Sequence, residues 1–116
     1  MTTAYYKIWT TVQLIPEGKV CSYGQVADLA GLPGRARLVG KSLQFIPKDG
    51  VNDQPVPWFR VVRSSGEIAF KPGTPEFINQ RSLLMGDGIT VKGRRVNLKD
   101  HQWVVNLTDI LFIISR

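Results

Sequence analysis

Apolar residues fall into short periodic runs separated by Gly- and Pro-rich breaks. Tyr5, Ile8, Trp9 and Val12 recur at i, i+3, i+4 and i+7, the spacing of a buried helical stripe. Pro16 ends that helix, and Pro16-Glu17-Gly18-Lys19 reads as a turn. Ser22 is placed to cap a second helix, with Gln25 reaching back in a capping box; Ala30 ends the helix and Gly31 stands at C′. After Gly31-Leu32-Pro33-Gly34 a third helix spans residues 35–46. At about 100° per residue, Val39, Leu43 and Ile46 share one face of it and Arg37, Lys41 and Gln44 the other.

The second half of the chain shows β-like patterns. Residues 48–57 are rich in Gly, Asp, Asn and Pro and read as a loop. Residues 58–62 have strand propensity, residues 63–66 form a turn, and residues 67–70 return as a partner strand. Thr74 can cap a further helix with Pro75 at its first position and Glu76 near the positive end of its dipole. That helix carries Phe77, Ile78, Leu84 and Met85 and ends at Gly86 or Gly88. Residues 89–91 and 95–98 flank Lys92-Gly93 as a small terminal hairpin. The tail from Leu107 to Ile114 is strongly apolar and rich in β-branched residues near its end. It packs on the domain, meets a partner, or is aggregation-prone.

The predicted fold class is therefore α+β: a small winged-helix-like domain with a helix-turn-helix and short β-hairpins. A single domain over residues 1–106 and an apolar tail over residues 107–116 fit a length of 116 residues. Two short helices around a Gly-containing turn, the second apolar behind and basic in front, describe a helix-turn-helix. The same pattern also fits a surface αα-hairpin with a solvated charged face.

Charge and composition narrow the function. A net charge of +6 favours a polyanionic partner, although solubility alone also accounts for it. One cysteine excludes an internal disulfide, and one histidine excludes a His-rich zinc site. No metal or cofactor is expected. No apolar run approaches the roughly 20 residues that cross a bilayer, and MTTAYYKIW lacks the features of a signal peptide. A soluble, cytoplasmic monomer without membrane contact is the expectation.

From Ile15 onward the pattern becomes more specific. The stretches IPEGKVCSYGQVADLAGLPGRARLVGKSL and PVPWFRVV, followed by SSG and LLMGDGITV, resemble the DNA-binding domain of O6-alkylguanine-DNA alkyltransferases. The likeness covers about Tyr5 to Trp103, with the motifs in the family's order. Those enzymes carry their alkyl-accepting cysteine in a Pro-Cys-His-Arg-Val motif. Here Pro57-Trp58-Phe59-Arg60-Val61 stands in its place, as in the alkyltransferase-like, non-catalytic branch. The substitutions remove the chemistry independently of the family. Alkyl transfer needs a soft nucleophile, preferably a thiolate, and neither an indole nor a phenyl ring can serve as nucleophile or base.

The resemblance implies that the chain is not an enzyme but binds O6-alkylguanine in duplex DNA through the minor groove. It would flip the damaged nucleotide into a pocket and hand the lesion to nucleotide excision repair proteins. Arg37 matches the finger that fills the space of the flipped base, and Tyr23 matches the tyrosine that rotates the nucleotide outward. Ala36 and Gly40 would allow close approach of the helix to the DNA backbone, with Arg35, Lys41 and Lys48 on phosphates. Trp58 would form the floor or wall of the lesion pocket. Trp58 and Val61 would offer backbone carbonyls to the guanine amino group, and Ser65 to Lys71 would edge the site, with Lys71 at its rim. Ile46, where the enzymes have an asparagine, and the loop over residues 48–54 depart from the pattern. Asp87 aligns with the acid that orients the missing histidine, so helix capping or a surface role is expected of it. Cys21 reads as a core residue and His101 as a surface one. Two rival readings remain: a residual alkyltransferase using Cys21, and a sequence-specific transcription regulator.

Overall fold

A computed structural model describes residues 3–115; Met1, Thr2 and Arg116, and in the tail the side chains of Ile110 and residues 113–115, lie outside the described residues. Two buried clusters organise the chain. Helix α1 (Thr3–Val12) turns Ile8, Trp9 and Val12 inward as its stripe predicts, with Thr11 beside them. Trp9 Nε1 donates to the Ser42 carbonyl at 2.9 Å, which fastens α1 to the end of the third helix.

Strand β1 (Cys21–Ser22) leads into α2 (Tyr23–Leu29), whose first turn is capped by the Ser22 hydroxyl, 3.1 Å from the Gln25 N–H. The reciprocal half of the expected capping box does not form. Gln25 Oε1, the acceptor such a box would use, instead receives a hydrogen bond from Gln102 Nε2 at 3.2 Å, and Gln25 Nε2 donates to the Trp103 carbonyl at 2.8 Å, because the C-terminal segment bridges Val20 beside the helix start. Gly31, at φ 77°, ends α2 as expected.

Helix α3 (Ala36–Ser42) is shorter than its pattern. A 3₁₀ turn, Leu43–Phe45, replaces its last stretch, and Ile46 is extended at φ −60°, ψ 129°. Pro47 is the cause, since its ring disfavours the helical conformation of the residue before it. The two faces are as predicted, with Val39 buried, Leu43 and Ile46 half-buried, and Arg37, Lys41 and Gln44 exposed. The following loop turns tightly at Asn52 and Asp53, both at positive φ, and Gln13 Nε2 ties it to α1 through the Val51 carbonyl at 2.8 Å. Gly50 is required there, since a Cβ would collide with the Gln54 carbonyl.

The predicted hairpin of residues 58–62 with residues 67–70 does not form. Residues Trp58–Arg60 make a 3₁₀ turn, and only β2 (Val61–Val62) is extended. It pairs in parallel with β1, Cys21 opposite Val61 and Ser22 opposite Val62. Residues after the Arg63 turn pair instead with the terminal hairpin, through Glu67 opposite Arg95 and Ile68 N–H to Arg94 O. Helix α4 (Pro75–Gly86) starts at the Thr74 cap as expected and buries Phe77, Gln80 and Leu84, while Ile78 and Met85 face outward. Strands β3 (Val91–Lys92) and β4 (Arg95–Val96) are antiparallel around Gly93, and α5 (Leu98–His101) follows.

Alternation along the β1–β2 seam divides the interior. Cys21 and Val61 face the cluster of α1, α2 and α3, while Val20 and Val62 face that of α4 and the hairpin. The tail is helical: α6 (Leu107–Ser115) begins with a reciprocal cap in which Asn106 and Asp109 exchange hydrogen bonds. Leu107, Leu111 and Phe112 are mostly exposed, so packing on the domain does not cover them. The α+β architecture and the terminal hairpin are as expected; the strand at residues 61–62 is shorter than its pattern and paired differently.

Candidate nucleic-acid interface

Helices α2 and α3 present their facing ends to one cavity of about 470 Å³. Tyr23, the first residue of α2, lines one side. Arg37, Gly40 and Lys41 come from α3, Trp58 from the 3₁₀ turn, and Phe70 and Gln80 from beyond β2. The structure thus brings together Tyr23, Arg37, Gly40, Lys41 and Trp58, which lie up to 35 positions apart in sequence. Burial raises the Tyr23 hydroxyl above its ordinary pKa, with the charge of Arg63 opposing it, so the phenol stays protonated.

Nothing among the described residues demands a glycine at position 40. A Cβ there would lie 3.7 Å from the Tyr23 ring, an ordinary contact, and the residue is not at positive φ. Glycine in a helix interior costs about 1 kcal/mol relative to alanine. The exposed side of α3 is thereby kept flat. Arg35, Arg37 and Lys41 line a second groove at the start of α3, and none of them is ion-paired with a described residue.

The Trp58 turn is braced from several directions. Trp58 meets Phe59 and Phe70 edge-on, at ring separations of 6.1 and 6.5 Å. Arg60 grips Asp87 bidentately, Nε to Oδ2 at 2.6 Å and Nη2 to Oδ1 at 3.0 Å, and its Nη1 donates to the Ile15 carbonyl. Its guanidinium also lies over the Phe59 ring. Burial alone would raise the Asp87 carboxyl, but hydrogen bonds from Arg60 and the Gly18 N–H, with the Arg60 charge, hold it below the usual carboxylate range. The backbone of Asp87 does cap α4, but its carboxylate is not on the surface. His101 is half-buried, its Nδ1 3.3 Å from the Gly18 carbonyl.

Other expected positions lie elsewhere. Val61 is fully buried in β2, and Ser65 turns to Glu67 with a 2.9 Å hydrogen bond, beside the hairpin groove of Lys92, Arg95 and Lys99. Of the 65–71 segment it is Ala69 and Phe70 that reach the cavity; Lys71 is exposed next to them, and Lys48 lines neither groove of α3. Ile46 lines an adjoining space of about 630 Å³ that shares Trp58 and Phe70 with the first. Cys21 is fully buried, and burial pushes its thiol up to about 12. Gln80 was missed from sequence. Its signal was a polar residue at helical spacing between Phe77 and Leu84, on the face that α4 buries.

A helix pair with a flat cationic front, opening onto an aromatic cavity, defines a helix-turn-helix nucleic-acid-binding domain with room for a ligand. A family model, the DNA-binding domain of 6-O-methylguanine DNA methyltransferase, matches residues 3–89, and the chain belongs to that family. It is 37% identical to the DNA base-flipping protein of Vibrio parahaemolyticus, over 84% of this chain and 92% of that protein. It is 30% identical to alkyltransferase-like protein 1 of Schizosaccharomyces pombe, over 89% of this chain and 96% of that one. The crystal structure of S. pombe Atl1 with damaged DNA containing O6-carboxymethylguanine matches the fold with a TM-score of 0.76 at 30% identity, covering 90% of this chain and 97% of that one.

Proposed function

We propose that this protein recognises O6-alkylguanine in duplex DNA and does not repair it. The observation that carries the reading is the convergence of Tyr23, Arg37, Gly40, Lys41 and Trp58 on one cavity. The likeness to a base-flipping protein and to a relative crystallised on damaged DNA supports it.

In this reading α3 lies in the minor groove, which offers little sequence code and so suits a lesion searcher. Arg37, planar and permanently charged, enters the base stack while Tyr23 crowds the neighbouring phosphate. The flipped guanine enters the cavity against Trp58, where alkyl burial contributes roughly 0.8 kcal/mol per CH₂. Arg35, Lys41 and Lys48 contact phosphates, with Lys71 beside the rim. Trp58 and Phe59 supply neither nucleophile nor base, so the bound lesion passes to another system, nucleotide excision repair. The domain acts as a monomer, and α6 lies outside the DNA-binding unit.

Binding to matched duplexes with and without a single O6-methylguanine tests the reading. A clear preference for the damaged duplex is expected; equal affinity would instead favour a sequence-specific regulator. Incubation with DNA carrying a labelled O6-methyl group tests the enzymatic rival. Its only thiol, Cys21, is buried and protonated at neutral pH, so no label should reach the protein.

A further inference from the structure

The terminal hairpin carries charge that the reading above leaves unused. Residues 90–99 hold four cations, Lys92, Arg94, Arg95 and Lys99, and no acid. All four lie past residue 89, where the match to the family model ends. Glu67 engages two of them, at 3.4 Å from Arg94 Nε and 4.0 Å from Arg95 Nη2. Lys92 and Lys99 are exposed and have no ion-pair partner among the described residues. With Arg95 they line a groove of about 620 Å³, to which Ser65 and Asn97 add polar walls. Asp100, the acid that lines it, accepts a hydrogen bond from Asn97 Nδ2 at 3.1 Å.

Arg63 joins this groove to the cavity. The strand register sets Ser22 opposite Val62, so Tyr23 and Arg63 leave the β1–β2 seam as neighbours. The Arg63 side chain is exposed, and its charge reaches the Tyr23 hydroxyl. Towards the hairpin, the Ser65 hydrogen bond and then the charges of Arg94, Arg95 and Arg63 hold the Glu67 carboxyl below the usual carboxylate range, against its desolvation. Cations therefore continue from Tyr23 through Arg63 to Arg95, Lys92 and Lys99, with Glu67 set among them. We propose that the hairpin groove is a second DNA contact, which holds backbone phosphates of the duplex flanking the lesion. This rests on the lesion-binding reading, which puts a phosphate at Tyr23, where the cationic track begins. A duplex offers a regular file of phosphates leading away from that point, which an acidic peptide does not. Contacts of this kind fix the register of the protein on the duplex and carry no information about the base.

The test compares two variants that lose the same charge. Lys92→Gln with Lys99→Gln empties the groove of its unpaired cations. Lys7→Gln with Lys19→Gln removes two charges from α1 and the turn after it, outside the hairpin groove and both grooves of α3. Each protein is titrated, over a series of salt concentrations, with a duplex long enough to extend past the domain on both sides. One phosphate contact contributes about 0.9 to the slope of log affinity on log salt, so the hairpin variant should show a slope shallower by about 2. The control should keep the wild-type slope, and Lys92→Arg with Lys99→Arg, which retains the charge, should restore it. The ratio of affinities for O6-methylguanine and guanine should be the same in all of them. A wild-type slope in the hairpin variant would overturn the proposal and leave the groove to an acidic protein. An equal fall in the control would also overturn it, by reducing the effect to net charge. Wild-type indifference between guanine and O6-methylguanine would sink the lesion reading alone, since the slopes can be read on undamaged DNA.

Discussion

The front of α3 and the turn at Trp58 lie on opposite sides of one cavity and are built on opposite principles. Arg35, Arg37 and Lys41 have no ion-pair partner among the described residues, and Gly40 leaves the surface between them flat. Around Trp58 most polar groups are engaged: Arg60 with Asp87 and Ile15, the Gln80 Nε2 with two carbonyls, Asp87 with the Gly18 N–H. Charges left unpaired by the fold remain available to an external polyanion, whereas a pocket that discriminates between bases needs walls that do not yield. The contrast separates gripping from reading.

Breaking the brace should have the largest effect. Asp87→Ala leaves Arg60 uncompensated in a site where both side chains are mostly buried, and should lower unfolding free energy by about 3 kcal/mol in urea titrations. The pH dependence has a definite sign. The Asp87 carboxyl is depressed in the folded state, so its contribution is complete above the unfolded carboxylate value of about 4 and is lost as pH falls through the lower folded one. Asp87→Asn should flatten that acid limb of the stability curve; an unchanged limb would show that the clamp contributes nothing.

The gripping side should respond the other way. Arg37→Ala should leave the melting temperature nearly unchanged and weaken binding to the damaged duplex by one to two orders of magnitude, roughly 1–3 kcal/mol. A base-analogue fluorescence signal from the flipped state that survives this substitution would remove Arg37 from its proposed role. Trp58→Ala should reduce the preference for alkylated over normal guanine by a few-fold to about tenfold, with affinity for undamaged DNA little altered. The smallest effect sharpens the contrast most. Gly40→Ala should stabilise α3 by up to about 1 kcal/mol while weakening DNA binding, so that stability and affinity move in opposite directions. Gains in both would mean that the flat surface serves no external contact.

Much of the site was legible along the chain, because local rules govern it. Ser22 and Thr74 cap helices through neighbours three residues away, and the two faces of α3 follow from helical periodicity. Tyr23, Arg37 and Trp58 stand out by their motif context even before the fold assembles them. Other features depended on partners distant in sequence. Gln25 could have closed its own capping box, but Gln102, 77 positions away, donates to its side-chain oxygen instead. Residues 58–62 have strand propensity, yet the clamp across 27 positions from Arg60 to Asp87 accompanies a 3₁₀ turn there. Asp87 reads from sequence as a helix-capping or surface group, whereas the fold sets Arg60 against it, and the burial of Gln80 comes only with α4 packed on the Trp58 turn. The sequence by itself determined the helix pair, the cationic face and the absence of a nucleophile at Trp58, since each depends on residue type or short-range spacing. Only the tertiary structure decided which carbonyls, carboxylates and amides find partners, because buried polar groups are satisfied by whatever the fold brings within about 3 Å, without regard to distance along the chain.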